Sequence, residues 1–459
     1  WKVCVKLEDT AGNVTYGSSG AVVRDTVSPT LVTGSFVWTG SAADGYINDS
    51  EKAGSSALLT AATADETSTY SYGIVTSSTT CDGSLTYGAS IPTASHAAFT
   101  GEVAYKACVR MEDLAGNVAY AASATDITRD TVSPSATMAL ANAASDGMIN
   151  ASEKASLSTA MGASPVGSET LSAATYKLVT SATTCDGSLS YGASIPAANS
   201  LDFGSDGNYK ICMRLVDSAG NVGYSASGAI ILDTTGPVFT SIAFANEASD
   251  GYINNSEKNA TTDLVATPVT SGADATSYVV VANTAACNTA TGYGATKPKV
   301  NDAAITADGP WKVCVKLEDT AGNVTYGSSG VVVRDTVAPN LASGFAWTGD
   351  ASDSTSAVLI AAVATESSTY KYTILPLLGS CATASDYASG IPGADTTKIT
   401  TDGGYLGCVE ITDLAGNVTR TQSSTSITVD TVAPTATMAL ANAASDGMIN
   451  ASEKASLST

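Results

Sequence analysis

The stretch YKACVRMEDLAGNVAY, residues 105–120, carries the pattern that predicts the fold. Apolar and polar side chains alternate from Tyr105 to Glu112, and a period of two with one polar face predicts a half-buried β-strand. The DLAGN segment that follows predicts a hairpin turn. Asp113 can accept a hydrogen bond from the backbone two residues on, and Gly116 supplies a positive φ. A second strand is expected to begin at Val118.

This stretch recurs along the whole chain of 459 residues. An Asp-Thr segment follows each copy, and successive segments lie 105, 103, 102 and 95 residues apart, so one repeat has the size of a small domain. We predict complete repeats at 26–130, 131–233, 234–335 and 336–430, with parts of repeats at 1–25 and 431–459. Because near-identical blocks begin at Trp1 and Trp311, we expect the sequence to be a window on a longer array.

Many short strands separated by Gly, Asp, Asn and Ser turns predict an antiparallel β-sandwich for each repeat. The fold class is therefore all-β, a linear array of Ig-like domains. The segment NASEKASLS, residues 150–158, has the composition for one short helical turn and no more.

Cysteine spacing predicts one disulfide in each complete repeat. Of the nine cysteines, eight form pairs 27 residues apart, and two Cys with a single His in the chain make a poor zinc site. Disulfides imply an oxidising compartment. Because Cys108 alternates with Lys106 and Arg110, we expect the bridge on the outer, solvent-side face of the sheet. The pairs are Cys81/Cys108, Cys185/Cys212, Cys287/Cys314 and Cys381/Cys408.

Charge and composition exclude several functions. The net charge of -22 argues against nucleic acid and against an anionic membrane surface as partners. We find no apolar run of about 18 residues, so no membrane insertion is expected in this window. His96 is the only His and lies in a Ser/Ala-rich loop of one repeat; a hydrolytic triad would need it, and the other repeats have no equivalent, so we expect no enzyme activity.

The segment DGMINASE, residues 146–153, resembles the second half of an EF-hand loop, with oxygen ligands suited to Ca²⁺. The third ligand place falls on Ala144, which cannot ligate. The alternative is a surface turn with solvated acids. Repeat 336–430 lacks the segment, so the fold does not require it. The candidate calcium ligands are Asp44, Asn48, Glu51, Asn142, Asp146, Asn150, Glu153, Asn246, Asp250, Asn254, Glu257, Asn442, Asp446, Asn450 and Glu453.

Two further sets of aspartates have competing interpretations. The Asp of the Asp-Thr segment could ligate a junction calcium or pair with a preceding Arg; the candidates are Asp25, Asp130, Asp233 and Asp335. The Asp that precedes AGN is expected to cap the hairpin turn, as at Asp9, Asp113 and Asp319.

The combination of DxAGNV, DTxxP and DGxIN in a repeat of about a hundred residues resembles the tandem bacterial Ig-like repeats of giant surface adhesins, of the biofilm-associated and RTX types. The resemblance implies stiff extender modules of an extracellular or cell-surface fibre, with Ca²⁺ near the domain junctions. The cysteine pair is a departure from that family.

We therefore predict a non-enzymatic bacterial adhesin stalk whose partners are neighbouring repeats of the same chain. Two alternatives remain at this stage. One is a laterally packed filament or sheath, in which other copies of the chain are partners. The other is a carbohydrate-binding array, for which Tyr87 and Tyr191 are the candidate contacts.

Overall fold

The computed structural model describes residues 1–348, 358–393, 397–438 and 447–454, apart from the side chains of residues 452 and 453. The chain forms two compact units. The first is Trp1–Thr235 with Ala321–Asn323, and the second is Gly236–Thr320 with Val324–Thr459. In both units the β-strand is the main regular secondary structure.

Each complete repeat contains one long strand, here called the central strand, that follows from the alternating sequence. These strands are Ala104–Asp113, Gly207–Asp217, Gly309–Glu318 and Gly403–Asp413. In the first of them Tyr105, Val109 and Met111 are buried in the core, as the alternation predicts.

In repeat 26–130 the central strand organises a five-stranded sheet. The hairpin partner begins at Val118, as expected, and Gly116 has a φ of 91°. All pairings of the central strand are antiparallel, and one parallel pair joins the edge strand Tyr46–Ile47 to Ile127–Arg129. The strands around the central one are Tyr46–Ile47, Ser68–Thr76, Val118–Ala122 and Ile127–Arg129.

Repeats 131–233 and 234–335 each form the same five-stranded sheet. In the former the flanking strands are Met148–Ile149, Leu171–Thr180, Val222–Ala226 and Ile230–Leu232. In the latter they are Tyr252–Ile253, Ala275–Ala282, Val324–Ser328 and Val332–Arg334.

Repeat 336–430 differs in its sheet, which has three strands among the described residues: Ser368–Pro376, the central strand and Val418–Val429. The last strand is continuous and pairs along the whole central strand, with a β-bulge between Leu406 and Cys408. It thereby takes the place of two strands in the other repeats. The partial first repeat contributes the hairpin of Cys4–Glu8 and Val14–Ser18.

The second layer of each sandwich consists of short pairings and isolated bridges. In repeat 26–130 the Trp38–Leu59 bridge lies in this layer, and both side chains join Val109 in one core cluster. The small sheets pair Ala136–Thr137 with Val166–Gly167, Val238–Ser241 with Val269–Ser271, and Leu341–Ser343 with Val363–Ala364. The predicted all-β, sandwich-type fold is confirmed, whereas the repeat limits stay a prediction.

Within the described residues, helical structure is confined to short segments of one or two turns, as the composition predicts. The α-helical segments are Ala151–Ser156 and Ala451–Lys454, and the 3-10 turns are Gly40–Ala42, Asn142–Ala144, Asn246–Asp250 and Cys287–Thr289. No helix in the described part of the chain has the length and apolar character needed to cross a membrane.

Four disulfides join cysteines 27 residues apart, with Cα–Cα distances of 5.3–5.5 Å. In repeat 336–430 the predicted outer-face position of the disulfide is confirmed, because Cys381 and Cys408 form a buried cluster separate from the main core. The bonded pairs are Cys81–Cys108, Cys185–Cys212, Cys287–Cys314 and Cys381–Cys408.

The expected solvent exposure of the disulfides is wrong, since the cysteine on each central strand is fully buried. These cysteines are Cys108, Cys212, Cys314 and Cys408. In repeat 26–130 a loop folds back over the outer face through the Tyr72–Gly88 bridge, and the Tyr87 ring lies 5.7 Å from that of Tyr120. In repeat 234–335 the Tyr278–Gly294 bridge closes the same loop over Cys314. Alternation along one strand could not reveal this cover, because the covering residues come from another part of the chain.

Candidate metal centre at the repeat junctions

The DGxIN loops are residues 44–51, 146–153 and 250–257. In the second loop Gly147 takes a φ of 86°, and Asp146 Oδ1 accepts the Met148 N–H at 2.9 Å. Asn150 Oδ1 accepts the N–H groups of Ser152 and Glu153, and Glu153 Oε2 accepts the Asn150 N–H. This is a reciprocal capping box, which satisfies the free N–H groups at the start of the short helix.

The other two loops use the same atoms in the same way. Asp44 and Asp250 accept the N–H two residues on, Asn48 and Asn254 cap the following turn, and Glu51 and Glu257 return a bond to the Asn N–H. The calcium assignment of these loops stays a prediction. The oxygens it requires already accept backbone hydrogen bonds.

Asn142 and Asn246, the predicted first ligands, occupy left-handed backbone positions with φ of 54° and 53°. Asn tolerates this conformation better than most residues, and Gly40 takes the corresponding place with φ of 61°. Their Nδ2 groups donate to Ala160 O and Asp263 O. Asn442, Asp446 and the side chain of Glu453 lie outside the described residues. Asn450 O accepts the Lys454 N–H at 2.9 Å.

The Asp of each Asp-Thr segment stabilises a local turn by accepting a backbone hydrogen bond from the residue two positions on. Asp130 Oδ1 accepts the Val132 N–H, and the same bond forms at Asp25, Asp233, Asp335 and Asp430. Pairing of Asp130 with its preceding Arg is not what the structure shows, because Arg129 bonds Glu102 at 2.5 Å. Glu102 also accepts the Thr131 N–H, so the junction is fastened to the loop before the central strand.

Three of these junctions bring together carboxylates from distant parts of the sequence. In each trio the oxygens lie within 4.8 Å of one another. Ca²⁺ binds oxygen at about 2.3–2.6 Å, so one ion can reach all three. The third member of each trio is the buried Asp that precedes AGN. The trios are Asp25/Glu66/Asp113, Asp130/Glu169/Asp217 and Asp335/Glu366/Asp413.

The glutamate of each trio carries an electrostatic cost. Burial, followed by the charges of Asp25 and Asp113, raises the pKa of Glu66. Burial and the two neighbouring aspartates likewise raise the pKa of Glu169 and of Glu366. A divalent cation would relieve this repulsion, since an opposite charge favours the ionised form.

The AGN turns of the complete repeats are residues 113–117, 217–221, 319–323 and 413–417. In the first, Asp113 Oδ1 accepts the N–H groups of Ala115 and Asn117, and Asp113 Oδ2 accepts Asn117 Nδ2. These bonds lower the pKa of Asp113, and the hydrogen bond from the Asn117 side chain has the largest effect. The predicted capping role is confirmed at Asp113 and also at Asp9, which holds Ala11 and Asn13.

The DGxIN loop of one repeat contacts the AGN turn of the next. Asn48 Nδ2 donates to Ala219 O at 3.0 Å, and the Asp49 N–H donates to Asn221 Oδ1 at 2.8 Å. Asn221 Nδ2 donates in turn to Asp130 O at 2.9 Å. The same set joins Asn150 and residue 151 to Ala321 and Asn323, and Asn254 and residue 255 to Ala415 and Asn417.

The tyrosines considered for carbohydrate binding are engaged within the fold. Tyr87 and Tyr191 are half-buried, each beside a second tyrosine, and their hydroxyls donate to Asp82 O and Asp186 O. Burial raises the pKa of Tyr87 to about 12. The corresponding Tyr387 packs against the cluster of Cys381 and Cys408 in its own repeat.

Sequence reasoning missed the glutamates of the trios and the position of Asp113, Asp217 and Asp413 beside them. The only local signal was an acid shortly before the strand that pairs with the central strand, at Glu66, Glu169 and Glu366. That signal gives no indication that these side chains meet the Asp-Thr segment.

Comparison with solved structures returns bacterial adhesins among its matches. No protein-family model and no curated protein matches the chain.

One similar structure is a Ca²⁺-stabilised adhesin with which an Antarctic bacterium binds ice, at 21% identity and a TM-score of 0.37, covering 87% of this chain and 99% of that one. Another is from a 1.5-MDa bacterial ice-binding adhesin, at 17% identity and a TM-score of 0.38, covering 68% and 100%. A third is a tetra-tandem repeat from the extending region of a large adhesion protein, at 13% identity and a TM-score of 0.29, covering 79% and 92%. At these scores the similarity carries no argument about function.

Proposed function

We propose that this chain is a non-enzymatic extender region of an extracellular bacterial surface adhesin, in which Ca²⁺ binds at the junctions between repeats. The observation that carries the proposal is the recurrence of one acidic trio at three junctions. Each trio joins the Asp-Thr segment to the repeat that follows it, so a bound ion would hold the two together.

The donor set favours Ca²⁺ over other metals. All three side chains are carboxylates, the hard oxygen ligands that Ca²⁺ and Mg²⁺ prefer, and none is a His or Cys. Ca²⁺ accepts irregular geometry and more than six ligands, whereas Mg²⁺ demands a near-ideal octahedron. Backbone carbonyls and water would complete the shell.

The extracellular location is supported by the four disulfides, which persist in oxidising compartments. The acidic surface, with a net charge of -22, suits a fibre that stays soluble and retains divalent cations. The partners in this proposal are the neighbouring repeats of the same chain.

A calcium titration with thermal melts tests the proposal on the full oxidised chain. At a free Ca²⁺ concentration of 100 times Kd, each occupied site should stabilise its repeat by about 2.7 kcal/mol. The triple variant Glu66→Gln, Glu169→Gln, Glu366→Gln should lose most of the shift in melting temperature.

A matched variant, Glu51→Gln, Glu153→Gln, Glu257→Gln, changes the DGxIN loops alone and should keep that shift. No shift in the wild-type chain would reject calcium binding. If only the loop variant lost the calcium-dependent shift in melting temperature, the binding site would lie in the DGxIN loops instead.

A further inference from the structure

The DGxIN loop has a role that its calcium-like sequence does not suggest. We propose that it is a docking element whose partner is the AGN turn of the following repeat. The resulting clasp, independent of any metal, sets the stiffness of each junction. The inference that the clasp limits bending rests on the proposed stalk function. The docking of the loop on the turn does not depend on that function.

The first step of the argument is the chemistry of the contact. Asn48 uses its two ends separately: Oδ1 caps the loop's own turn, and Nδ2 donates to Ala219 O in the next repeat. In the AGN turn, Asn221 Oδ1 accepts a hydrogen bond from the Asp49 N–H. An amide side chain is required on both sides, because each must donate and accept at once.

The second step is an internal control that the chain provides. Residues 113–117 form the same AGN turn as the others, with no DGxIN loop against it in the described structure. There Ala115 is exposed, whereas Ala219, Ala321 and Ala415 are 2%, 6% and 3% exposed. The bond from Asn117 Nδ2 to Asp25 O is 3.4 Å long, against 2.9 Å at Asn221.

The middle glycine of the turn shows the same difference. A Cβ on Gly220, Gly322 or Gly416 would lie 3.3–3.5 Å from the Asn Nδ2 of the docked loop, whereas at Gly116 it would meet nothing. The Ala and Gly of AGN therefore leave room for the loop, in addition to forming the turn. For an AGN turn without a docked loop in the described structure, such as residues 113–117, the occupant in this proposal is a further DGxIN loop with the same sequence motif.

The third step concerns repeat 336–430, whose sequence lacks the loop. The bridge Trp38–Leu59 spans 21 positions and encloses a DGxIN loop, and its counterpart Trp347–Leu359 spans 12. The intervening residues contain neither Asn nor Glu. This repeat cannot clasp the AGN turn of a repeat that follows it, so we infer a bending point at that junction.

The substitution Asn48→Asp tests the clasp. Asp caps a helix start as well as Asn does, so the loop should keep its fold, but it has no N–H to give to Ala219 O. In the full chain, the exposed residues Thr69 and Leu201 are each replaced by a keto-bearing amino acid that carries a spin label. The distance between the two labels then reports on the junction between repeats 26–130 and 131–233. The measurement is made with chelator and again with Ca²⁺.

We expect Asn48→Asp to broaden the label distance distribution in chelator and to speed exchange of the Asp49 amide at least about tenfold. Replacing residues 39–58 with residues 348–358, which removes the DGxIN loop, should broaden the label distance distribution equally. Asn254→Asp, the same change in a distant loop, should leave it unchanged.

A distribution as narrow as wild type in both Asn48→Asp and the loop replacement would overturn the docking role. The two proposals fail separately. Loss of the calcium-dependent melt with a persistent clasp counts against the metal site alone, and a broad wild-type distribution in chelator counts against the clasp.

Discussion

At the scale of single residues, Asn221 shows how one side chain serves three neighbours. Its Nδ2 donates to Asp217 Oδ2 within the turn and to Asp130 O in the Asp-Thr segment, and its Oδ1 accepts from Asp49 N in the preceding repeat. A buried amide with every group satisfied fixes the orientation of its partners, since an unpaired group there would be costly.

The glutamates of the trios lead to a prediction about pH. A raised pKa means that folded Glu66 holds its proton more tightly than the unfolded chain. That stability is present at low pH and is lost as the pH rises through the folded pKa. Asp113 has a lowered pKa, caused first by the hydrogen bond from the Asn117 side chain, and contributes the opposite way in both wild type and variant.

In chelator at pH 7, the triple variant Glu66→Gln, Glu169→Gln, Glu366→Gln should therefore melt above wild type. The difference should vanish below about pH 4, where unfolded glutamates are protonated as well. Saturating Ca²⁺ should reverse its sign. Thermal melts from pH 3.5 to 7.5 check this, and a variant that is less stable in chelator at pH 7 would contradict it.

At the scale of elements, the disulfide joins a covering loop to the outer face of the central strand. Cys212 lies on that strand and Cys185 in the loop, and Tyr191 and Tyr224 lie side by side, with ring centroids 6.0 Å apart. In repeat 336–430, Cys381, Leu406 and Cys408 form a second, smaller buried cluster outside the main core. A sandwich rich in Ala gains stability from this addition.

The double variant Cys185→Ala, Cys212→Ala should lower the free energy of unfolding of its repeat by about 3–4 kcal/mol, because the unfolded chain loses a 27-residue closed loop. Hydrogen exchange of the strand Gly207–Asp217 measures this in the full chain. The strand Gly309–Glu318, whose Cys287–Cys314 bridge stays intact, serves as the internal control. Unchanged protection of the first strand would contradict the stabilising role.

At the scale of the whole molecule, the acidic excess governs how copies of the chain interact. Asp and Glu number 43 against 21 Lys and Arg, and copies of like charge repel at low ionic strength. Lateral packing would need cations between the chains. The stalk and the filament alternatives therefore differ in their response to calcium.

We expect the chain to remain monomeric in chelator at low salt, and to remain so when Ca²⁺ fills the sites within it. Sedimentation velocity over a range of protein concentrations checks both conditions, with Mg²⁺ as the control for general screening. Growth of a larger species on addition of Ca²⁺ alone would favour the laterally packed filament.

The sequence by itself determined what depends on local order and constant spacing. Alternation from Tyr105 to Met111 predicted the central strand, Gly116 predicted the hairpin, and a separation of 27 residues paired the cysteines. These features depend on backbone geometry over a few residues, or on a spacing that every repeat preserves.

Only the tertiary structure decided which residues meet at the junctions. Asp130, Glu169 and Asp217 converge although they lie far apart in sequence, and Asn48 docks on Ala219, 171 residues away. The DGxIN loop looked like half a calcium site because Gly, Asn and Glu serve a capping box as well as they serve an ion. Which use prevails depends on what packs against the loop, and local sequence does not specify that neighbour.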